Sequence, residues 1–318
     1  MKTAFVFPGQ GAQYVGMGSE LLSMSSAARM VFEEADETLG FQLTKMVLEG
    51  PEDTLRLTYY TQPALLAMSV AVLRALQERV DVRPAVAAGH SLGEYSALVA
   101  AQAISFRDAV ALVYRRGQLM DEALPAGTGA MAAILGLDER PLLQVCQTAA
   151  QETGEVVEIA NLNCPGQIVI SGTAQAVARA GELAKEAGAK RAIPLAVSGP
   201  FHCSLMRAAA DDFAALIDST SIRDAQLPVV ANVDGRAYTA AQDIRDALKK
   251  QLYSPVRWTD DVLTIRDMGV DLVVELGPGT VLSGLIRKID RGLETLHIED
   301  PGTLAAVCER LSAEEAGR

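Results

Sequence analysis

Short apolar runs alternate with longer amphipathic stretches along most of the chain. The short runs have the length of buried strands, and they cover residues 2–8, 85–89, 228–233, 270–276 and 295–299. The longer stretches are apolar throughout or at helical spacing, and they cover residues 63–76, 91–103, 105–122, 241–252 and 281–289. Such alternation is typical of a mostly parallel sheet covered by helices. The sequence therefore predicts an α/β fold.

The middle of the chain has a different order of elements. Its pattern predicts strands at 129–137, 156–163, 167–173 and 190–197, with helices at 139–152 and 174–187. This βαββαβ order is that of a ferredoxin-like unit. Because the larger α/β pattern resumes afterwards, we expect a small domain of residues 128–197 inserted into a large domain of residues 1–127 and 198–318. Ligand sites favour such domain interfaces.

Charge and composition narrow the class of partner. The chain has 318 residues and a net charge of −12, from 28 basic and 40 acidic side chains. This balance argues against nucleic acid or an anionic membrane as the main partner. No apolar run approaches membrane-spanning length, and the four cysteines have neither metal-type spacing nor a disulfide framework. We expect a cytoplasmic protein without a metal site.

One serine lies at the joint between a predicted strand and a predicted helix. Residues 89–93 have the sequence GHSLG, which fits the G-x-S-x-G pattern of a nucleophile elbow. The glycines permit a tight turn that aims the hydroxyl of Ser91 out of the sheet. The start of a helix also favours a developing oxyanion, for which the N–H of Leu92 is the predicted donor. The alternative is an N-cap serine between incidental glycines.

A serine nucleophile needs a base, and the chain has three histidines. His90 is adjacent to Ser91, and at an elbow its side chain points away from the hydroxyl. His297 lies in a predicted strand, where a structural role is more common. His202 follows a Gly-Pro turn at which the chain returns from the small domain to the large one. By elimination, His202 is the predicted base.

A glycine-rich loop follows the first predicted strand. Residues 7–18 contain four glycines, but their spacing is not the G-x-G-x-x-G of dinucleotide-binding loops. We expect this loop instead to bring a backbone N–H close to Ser91. Gln10 is the candidate donor, which would give the oxyanion a second hydrogen bond.

The predicted helix 105–122 carries an arginine at the edge of its apolar stripe. Arg116 lies three residues after Val113 and four before Met120, whereas Arg115 faces the other side. An inward arginine needs a partner, and a carboxylate suits its planar fork of donors. The partner is either an acidic side chain of the protein or the carboxylate of a substrate in the pocket of the serine.

Seven motifs follow one another between residues 3 and 300. They are FPGQGAQ, AGHSLGEYSALVAA, RRGQLM, NLNCPGQIVISGT, VSGPFHCSLM, QLYSPVRW and ELGPGTVLSGL. Together they resemble the malonyl-CoA:acyl carrier protein transacylases. The resemblance implies a large hydrolase-like α/β domain with a ferredoxin-like insert, in agreement with the predicted order of elements. It also implies a dyad of Ser91 and His202 with no acidic third member, and it places Arg116 at the carboxylate of the malonyl group.

The resemblance implies roles for further residues. Gln10 and Leu92 match the positions whose backbone amides form the oxyanion hole. Gln251, through its backbone carbonyl, and Asn232 match positions that orient His202 or lie near it. The remaining matched positions lie near the CoA moiety, and they are Asn163, Gln167, Lys190 and Arg191.

The implied reaction is a ping-pong acyl transfer. The malonyl group would pass from malonyl-CoA to Ser91 and then to the phosphopantetheine thiol of an acyl carrier protein, which supplies fatty acid synthesis. CoA is here part of a substrate, and no bound cofactor is implied. Two alternatives stay open. A polyketide-pathway malonyltransferase acting in trans shares all the motifs, and a serine thioesterase or hydrolase shares the elbow, although the inward Arg116 disfavours the latter.

Overall fold

A six-stranded sheet forms the centre of the larger part of the molecule. The computed structural model describes residues 1–316. In spatial order the strands of this sheet are β10 (Glu294–Ile298), β9 (Leu272–Leu276), β1 (Thr3–Phe7), β2 (Val86–Gly89), β7 (Val229–Val230) and β8 (Ala237–Tyr238). Every neighbouring pair is parallel except β7 and β8. The predicted α/β fold with a mostly parallel sheet is confirmed.

Helices surround this sheet. They are α1 (Ser19–Met24), α2 (Ser26–Leu39), α3 (Leu43–Glu49), α4 (Glu52–Leu55), α5 (Thr58–Gln77), α6 (Gly93–Ala100), α7 (Phe106–Glu122), α10 (Arg207–Ser219), α11 (Ala241–Gln251), α12 (Trp258–Asp267), α13 (Val281–Ile289) and α14 (Pro301–Ala316). Helix α5 is buried along almost its whole length because apolar side chains cover every face of it. Within residues 1–316, no helix has the length and hydropathy needed to cross a membrane.

Both faces of the central sheet are covered, which explains why its strands are continuous apolar runs. Successive side chains of a strand point to opposite faces. Phe5 and Phe7 of β1 join a core that includes α5 and α7, whereas Ala4 and Val6 join a core that includes α12 and α13. The carboxyl ends of the parallel strands are therefore framed by helices on both sides.

A second, antiparallel sheet of four strands occupies the middle of the chain. Its spatial order is β4 (Val157–Cys164), β5 (Gln167–Thr173), β3 (Gly129–Leu135) and β6 (Arg191–Pro194). Helices α8 (Glu139–Thr153) and α9 (Ala174–Glu186) pack on one face of it around a separate core. This topology is ferredoxin-like, as predicted. The domain boundaries drawn above remain predictions, and residues 317 and 318 lie outside the described part of the chain.

Some elements differ from the predicted ones. Helices α1–α4, α10, α12 and α14 are absent from the sequence prediction, although α2 and α10 each bury one apolar face. Strand β7 has two residues, whereas the sequence predicts a strand at 228–233. It ends early because the chain turns at 231–235, where the N–H of Gly235 donates to the carbonyl of Ala231 at 2.9 Å. This turn takes Asn232 out of the sheet and towards the carboxyl end of β2.

The four-stranded sheet contacts the larger part of the molecule near the carboxyl ends of β2 and β7. The N–H of Leu162 in β4 donates to the carbonyl of Val256 at 2.9 Å, and the N–H of Val256 donates to the carbonyl of Ala160 at 2.8 Å. Residue 256 lies between α11 and α12. These two bonds fix β4 close to the ends of β2 and β7, where the candidate site lies.

Candidate active site

The predicted elbow is a tight turn between β2 and α6. Ser91 has a left-handed φ of 50°, a conformation that strains a residue with a side chain. An added Cβ at Gly89 would lie 1.9 Å from the carbonyl carbon of Gly93, and one at Gly93 would lie 2.1 Å from the carbonyl oxygen of Phe7. Because no larger residue fits at either position, the glycines are required for this turn, and the alternative of incidental glycines is wrong.

His202 lies against the serine. Its Nε2 is 2.7 Å from the Oγ of Ser91, and its Nδ1 is 2.9 Å from the carbonyl oxygen of Gln251. A carbonyl accepts hydrogen bonds and does not donate them, so Nδ1 carries the proton and Nε2 is left as the acceptor for the serine hydroxyl. His202 is itself held at a left-handed φ of 59°. The structure thus brings the two predicted dyad residues into hydrogen-bonding contact.

The environment of His202 keeps the imidazole neutral. Its side chain is 4% exposed. Burial and the positive charge of nearby Arg116 lower the pKa of His202 to about 3, against the smaller opposing effect of the Gln251 carbonyl. The Nε2 of His202 is therefore unprotonated at neutral pH and available as the acceptor of the Ser91 proton, as a general base must be.

Arg116 points inward and is 1% exposed. Its Nη2 donates to the Oγ of Ser91 at 3.1 Å and to the Oε1 of Gln251 at 2.8 Å, while its Nη1 donates to the Oε1 of Gln62 at 2.9 Å. Its Nε has no hydrogen-bond partner within residues 1–316. Burial lowers the pKa of Arg116, but a guanidinium stays charged in proteins.

None of these partners carries a charge. In the described residues no carboxylate oxygen lies within ion-pair distance of Arg116, so the first alternative for its partner, an acidic side chain in direct contact, is not found. A buried guanidinium that contacts only neutral groups beside a nucleophile can pair with the charge of an anionic substrate group.

The predicted oxyanion donors lie on the two chain segments that meet at Ser91. The loop after β1 contacts the elbow so closely that an added Cβ at Gly9 would lie 2.4 Å from the carbonyl oxygen of His90. In the described part of the chain, the N–H groups of Gln10 and Leu92 donate no hydrogen bond to another residue. Both amides are therefore free, and their role in an oxyanion hole remains a prediction.

Asn232 lies at the site, but with a different role from the expected one. Its Oδ1 accepts from the N–H of Ser91 at 2.8 Å, and its Nδ2 donates to the carbonyl of Gly89 and to Asp261 Oδ2, both at 2.8 Å. No hydrogen bond of the described residues joins it to His202. Asn232 therefore holds the backbone of the elbow and does not orient the imidazole, because the early end of β7 turns it towards β2.

The other two histidines lie away from the serine hydroxyl. The Nε2 of His90 is 2.8 Å from the Oδ1 of Asn163, and its ring lies 5.8 Å from that of Trp258. The Nε2 of His297, in β10, is 3.9 Å from Glu299 Oε1. Asn163, expected near CoA, is thus tied to the elbow through His90, and its contact with CoA remains a prediction.

The other three positions expected near CoA lie together at one end of the second sheet. Gln167 is the cross-strand partner of Leu135, which in turn pairs with the exposed Arg191. The N–H of Lys190, also exposed, donates to the carbonyl of Leu135 at 2.8 Å, and the Nζ of Lys288 donates to Gln167 Oε1 at 3.3 Å. Among the described residues, no hydrogen bond or ion pair joins these cations to the serine.

Three buried polar residues at the site were not found from the sequence. Gln62 contacts Arg116, Glu94 accepts hydrogen bonds from Asn232 and Gln251, and Asp261 contacts Asn232. Glu94 could have been found as the single charged residue of the otherwise uncharged segment GEYSALVA. Among the side chains that the structure describes, no group of three His, Cys, Asp or Glu residues could hold a metal ion.

Known proteins are similar to this chain in sequence and in fold. The acyl transferase domain family matches residues 4–311. The malonyl CoA-acyl carrier protein transacylase of Bacillus subtilis is 52% identical over 313 residues, which are 98% of each chain. That of Escherichia coli K12 is 48% identical over 306 residues, 96% of this chain and 98% of the other. The chain belongs to this family of transacylases.

Solved structures of the family agree with the fold. The acyl carrier protein S-malonyltransferase of Vibrio cholerae has a TM-score of 0.94 at 51% identity, over 96% of this chain and 100% of the other. A malonyl-transacylase solved in complex with a type II polyketide acyl carrier protein has a TM-score of 0.95 at 47% identity. The match covers 98% of this chain and 100% of the other. The family likeness therefore includes both sheets, and the predicted resemblance is confirmed.

Proposed function

We propose that the chain transfers a malonyl group from malonyl-CoA to the phosphopantetheine thiol of an acyl carrier protein, with Ser91 as the intermediate acceptor. The observation that carries this proposal is the contact of Arg116 Nη2 with the Oγ of Ser91 at 3.1 Å. A guanidinium beside the nucleophile, in contact with neutral groups alone, fits an acyl group that has a free carboxylate of its own. The malonyl group is such an acyl group, and the names of the relatives point to the same substrate.

The first half-reaction acylates the serine. The Nε2 of His202 takes the proton of the Ser91 hydroxyl as the oxygen attacks the thioester carbonyl. The N–H groups of Gln10 and Leu92 donate to the resulting oxyanion, and the carboxylate of the malonyl group pairs with Arg116. When the carbon–sulfur bond breaks, the proton on His202 passes to the CoA sulfur, and a malonyl ester remains.

The second half-reaction repeats these steps with another thiol. The phosphopantetheine thiol of the carrier protein gives its proton to His202 and attacks the malonyl ester. The ester bond breaks, the proton returns to the oxygen of Ser91, and malonyl carrier protein leaves. Malonyl-CoA is a substrate in this scheme. The product supplies fatty acid synthesis, and the polyketide complex in the family makes a polyketide carrier protein the second candidate acceptor.

The carrier protein requires a docking surface of positive charge, because acyl carrier proteins are acidic and this chain has a net charge of −12. The exposed ends of α13 and of the second sheet meet where Lys288 contacts Gln167. Arg287 and Lys288 on α13 and Lys190 and Arg191 on the sheet form the basic surface that we assign to the carrier and CoA. Lys249, by contrast, is paired with Asp218 at 2.6 Å.

Mass spectrometry of the intact protein tests the proposed function. Incubation with malonyl-CoA is expected to add one malonyl group, located by peptide mapping to Ser91, and holo acyl carrier protein is expected to remove it. Ser91→Ala should take up no label. Ser219→Ala, which changes an exposed serine at the end of α10, is the matched control and should be labelled like the wild type.

Two results would contradict the proposal. Equal labelling of Ser91→Ala would show that another residue is the nucleophile. Loss of the label to water at the same rate with and without carrier protein would instead indicate a thioesterase or hydrolase. Comparing fatty acid and polyketide carrier proteins in the second step identifies the preferred acceptor.

A further inference from the structure

Glu94 is a buried carboxyl group of α6 that has no part in the reaction scheme above. Its side chain is 3% exposed, in a helix whose other side chains are apolar or small, apart from Tyr95. The Oε2 of Glu94 accepts from the Nε2 of Gln251 at 2.7 Å and from the backbone N–H of Asn232 at 3.1 Å. These partners belong to different elements, the end of α11 and the turn after β7. One oxygen atom therefore joins three segments of the chain.

The two partners of Glu94 are the residues that hold the dyad. The backbone carbonyl of Gln251 accepts from the Nδ1 of His202 at 2.9 Å. The side chain of Asn232 accepts from the N–H of Ser91 at 2.8 Å. The side chain of Glu94 is thus one residue removed from both members of the dyad and touches neither of their reacting atoms, while its backbone N–H donates to the carbonyl of Ser91 at 3.1 Å.

The side-chain amide of Gln251 extends this connection to the guanidinium. Its Oε1 accepts from Arg116 Nη2 at 2.8 Å, while its Nε2 donates to Glu94 and to the carbonyl of Ser91, the latter at 3.0 Å. With the amide reversed, its NH₂ group would face the donors of Arg116 and its oxygen would face the acceptor oxygen of Glu94. The carboxyl group and the guanidinium together therefore select one orientation of the amide.

We propose that Glu94 is a positioning residue of the candidate active site. It acts through Gln251 and Asn232, and it holds the nucleophile and the guanidinium at the separation that a carboxylate-bearing acyl group requires. The inference rests on the proposed function for the identity of that acyl group. Loss of the acceptor at Glu94 should therefore reduce malonyl uptake more than uptake of an acyl group without a carboxylate.

An acceptor oxygen at this position is sufficient for such a role. Burial raises the pKa of Glu94 to about 7, so neutral and ionised forms are both present near neutral pH. Each form has an oxygen that can accept the two hydrogen bonds, and so does the amide of glutamine. Alanine has none, and aspartate is one methylene too short to reach both donors.

The experiment compares Glu94→Gln, Glu94→Asp and Glu94→Ala with the wild type. Single-turnover acylation by malonyl-CoA and by acetyl-CoA is followed by mass spectrometry. We expect Glu94→Ala to slow malonyl uptake about 10- to 100-fold and acetyl uptake no more than about threefold. Glu94→Asp should lower the malonyl-to-acetyl ratio in the same direction, and it retains a buried carboxyl group if the alanine variant does not fold. Glu94→Gln should stay within about threefold of the wild type for both.

Glu275 supplies the matched control, because it is an equally buried glutamate at the end of β9. Its oxygens accept from the N–H groups of Leu282 and Ser283 at 3.0 and 2.8 Å, and no described hydrogen bond joins it to the dyad. Glu275→Ala should lower the melting temperature while leaving the malonyl-to-acetyl ratio unchanged. Equal loss of both activities in Glu94→Ala and Glu94→Asp, or no loss in either, would overturn the proposal.

A pair of fluorophosphonates that label active serines, one with a terminal carboxylate and one uncharged, separates this inference from the proposed function. If the wild-type protein takes up no malonyl group, the proposed function fails, but the rates of labelling at Ser91 still report on the dyad and on Arg116. Labelling by the carboxylate-bearing probe at least about tenfold slower in Glu94→Ala, with the uncharged probe within about threefold of the wild type and both rates unchanged in Glu275→Ala, would support the positioning role. Equal slowing with both probes in Glu94→Ala, or unchanged labelling with both, would overturn it in that case too.

Discussion

Two strand-to-helix junctions flank β1 at the carboxyl edge of the central sheet. They differ in which residues adopt the positive φ angles of the turn. At residues 89–93, between β2 and α6, the left-handed φ of 50° belongs to Ser91. At residues 276–281, between β9 and α13, the positive φ values of 139° and 77° belong to Gly277 and Gly279. Glycine adopts such angles without strain, whereas serine does not. The first junction is strained and the second is not.

The two helices also use their first amides differently. At α13 the carboxylate of Glu275, a residue of the preceding strand β9, accepts from the N–H groups of Leu282 and Ser283. The start of this helix is therefore capped by the protein itself. At α6 the N–H of Leu92 donates to no residue in the described part of the chain, and Glu94 is bonded to other segments. The capped junction stabilises the fold, whereas the open junction leaves a donor and positive potential for a negative charge.

The largest difference in acylation rate is expected between variants of the histidines that lie beside the two junctions. His202→Ala removes the base at the strained junction and should lower the acylation rate about 10²- to 10⁴-fold in a folded protein. His297 lies on β10, paired in register with Glu275 of the other junction, so His297→Ala should leave the rate within about threefold. Stopped-flow or quenched-flow acylation measures both. A well-folded His202→Ala protein with the wild-type rate would exclude His202 as the base.

Loss of Arg116 should lower the rate of malonyl transfer but not that of acetyl transfer. Arg116→Ala is expected to lower malonyl transfer about 10- to 100-fold, because a hydrogen bond to a charged group contributes about 1.5–3 kcal/mol. Acetyl transfer should stay level or rise, since acetyl-CoA lacks the carboxylate. Arg115→Ala, which changes the exposed neighbour on the same helix, is the matched control. Equal losses for both substrates would make Arg116 a structural residue.

The backbone strain at each junction should be measurable by placing glycine at the first junction and a residue with a side chain at the second. Ser91→Gly and Ser91→Ala both remove the hydroxyl, but only glycine relieves the left-handed φ, so Ser91→Gly should be the more stable of the two by about 1 kcal/mol. At the other junction Gly279→Ala should lose about 1 kcal/mol, since an added Cβ there meets no atom within 4 Å and the cost is conformational alone. Urea unfolding gives the free energies. Equal stability of the two Ser91 variants would mean that the turn is not strained.

The smallest effect is expected on the surface of α13, the helix of the capped junction. Arg287→Glu combined with Lys288→Glu should lower transfer to carrier protein about threefold at low salt and less at high salt, because salt screens the interaction. Acylation by malonyl-CoA should change less. Arg79→Glu with Arg83→Glu makes the same charge change on exposed residues before β2 and serves as the control. The same loss in both double variants would place docking elsewhere.

Local patterns in the sequence were sufficient for several features. Apolar alternation predicted the α/β fold and the ferredoxin-like unit, since both depend on the period of side chains within one segment. The GHSLG turn indicated Ser91 because the G-x-S-x-G pattern lies within one short segment, although Gly93 is also required by its contact with the distant Phe7. The spacing of Arg116 within one helix showed that it faces inward, and the structure brings it to the serine.

Other features needed the tertiary structure. Asn232 lies at the site as expected, but the short β7 directs its side chain to the N–H of Ser91, 141 residues away in the chain, and not to His202. Glu94 is absent from the predicted site, and its partners come from the end of α11 and from the turn after β7. Contacts of this kind depend on how separate segments pack, which no periodicity within a segment records.

The sequence by itself therefore determined the fold class, most of the strands and helices, the place of the sharp turn and the inward side of helix α7. These are consequences of local sterics and of the burial of apolar surface. The tertiary structure alone decided which amides stay free, which carboxyl group caps the helix that follows its strand and which one joins the dyad to the guanidinium. Each of these depends on hydrogen bonds between distant segments, and their directions are fixed only when the segments are packed together.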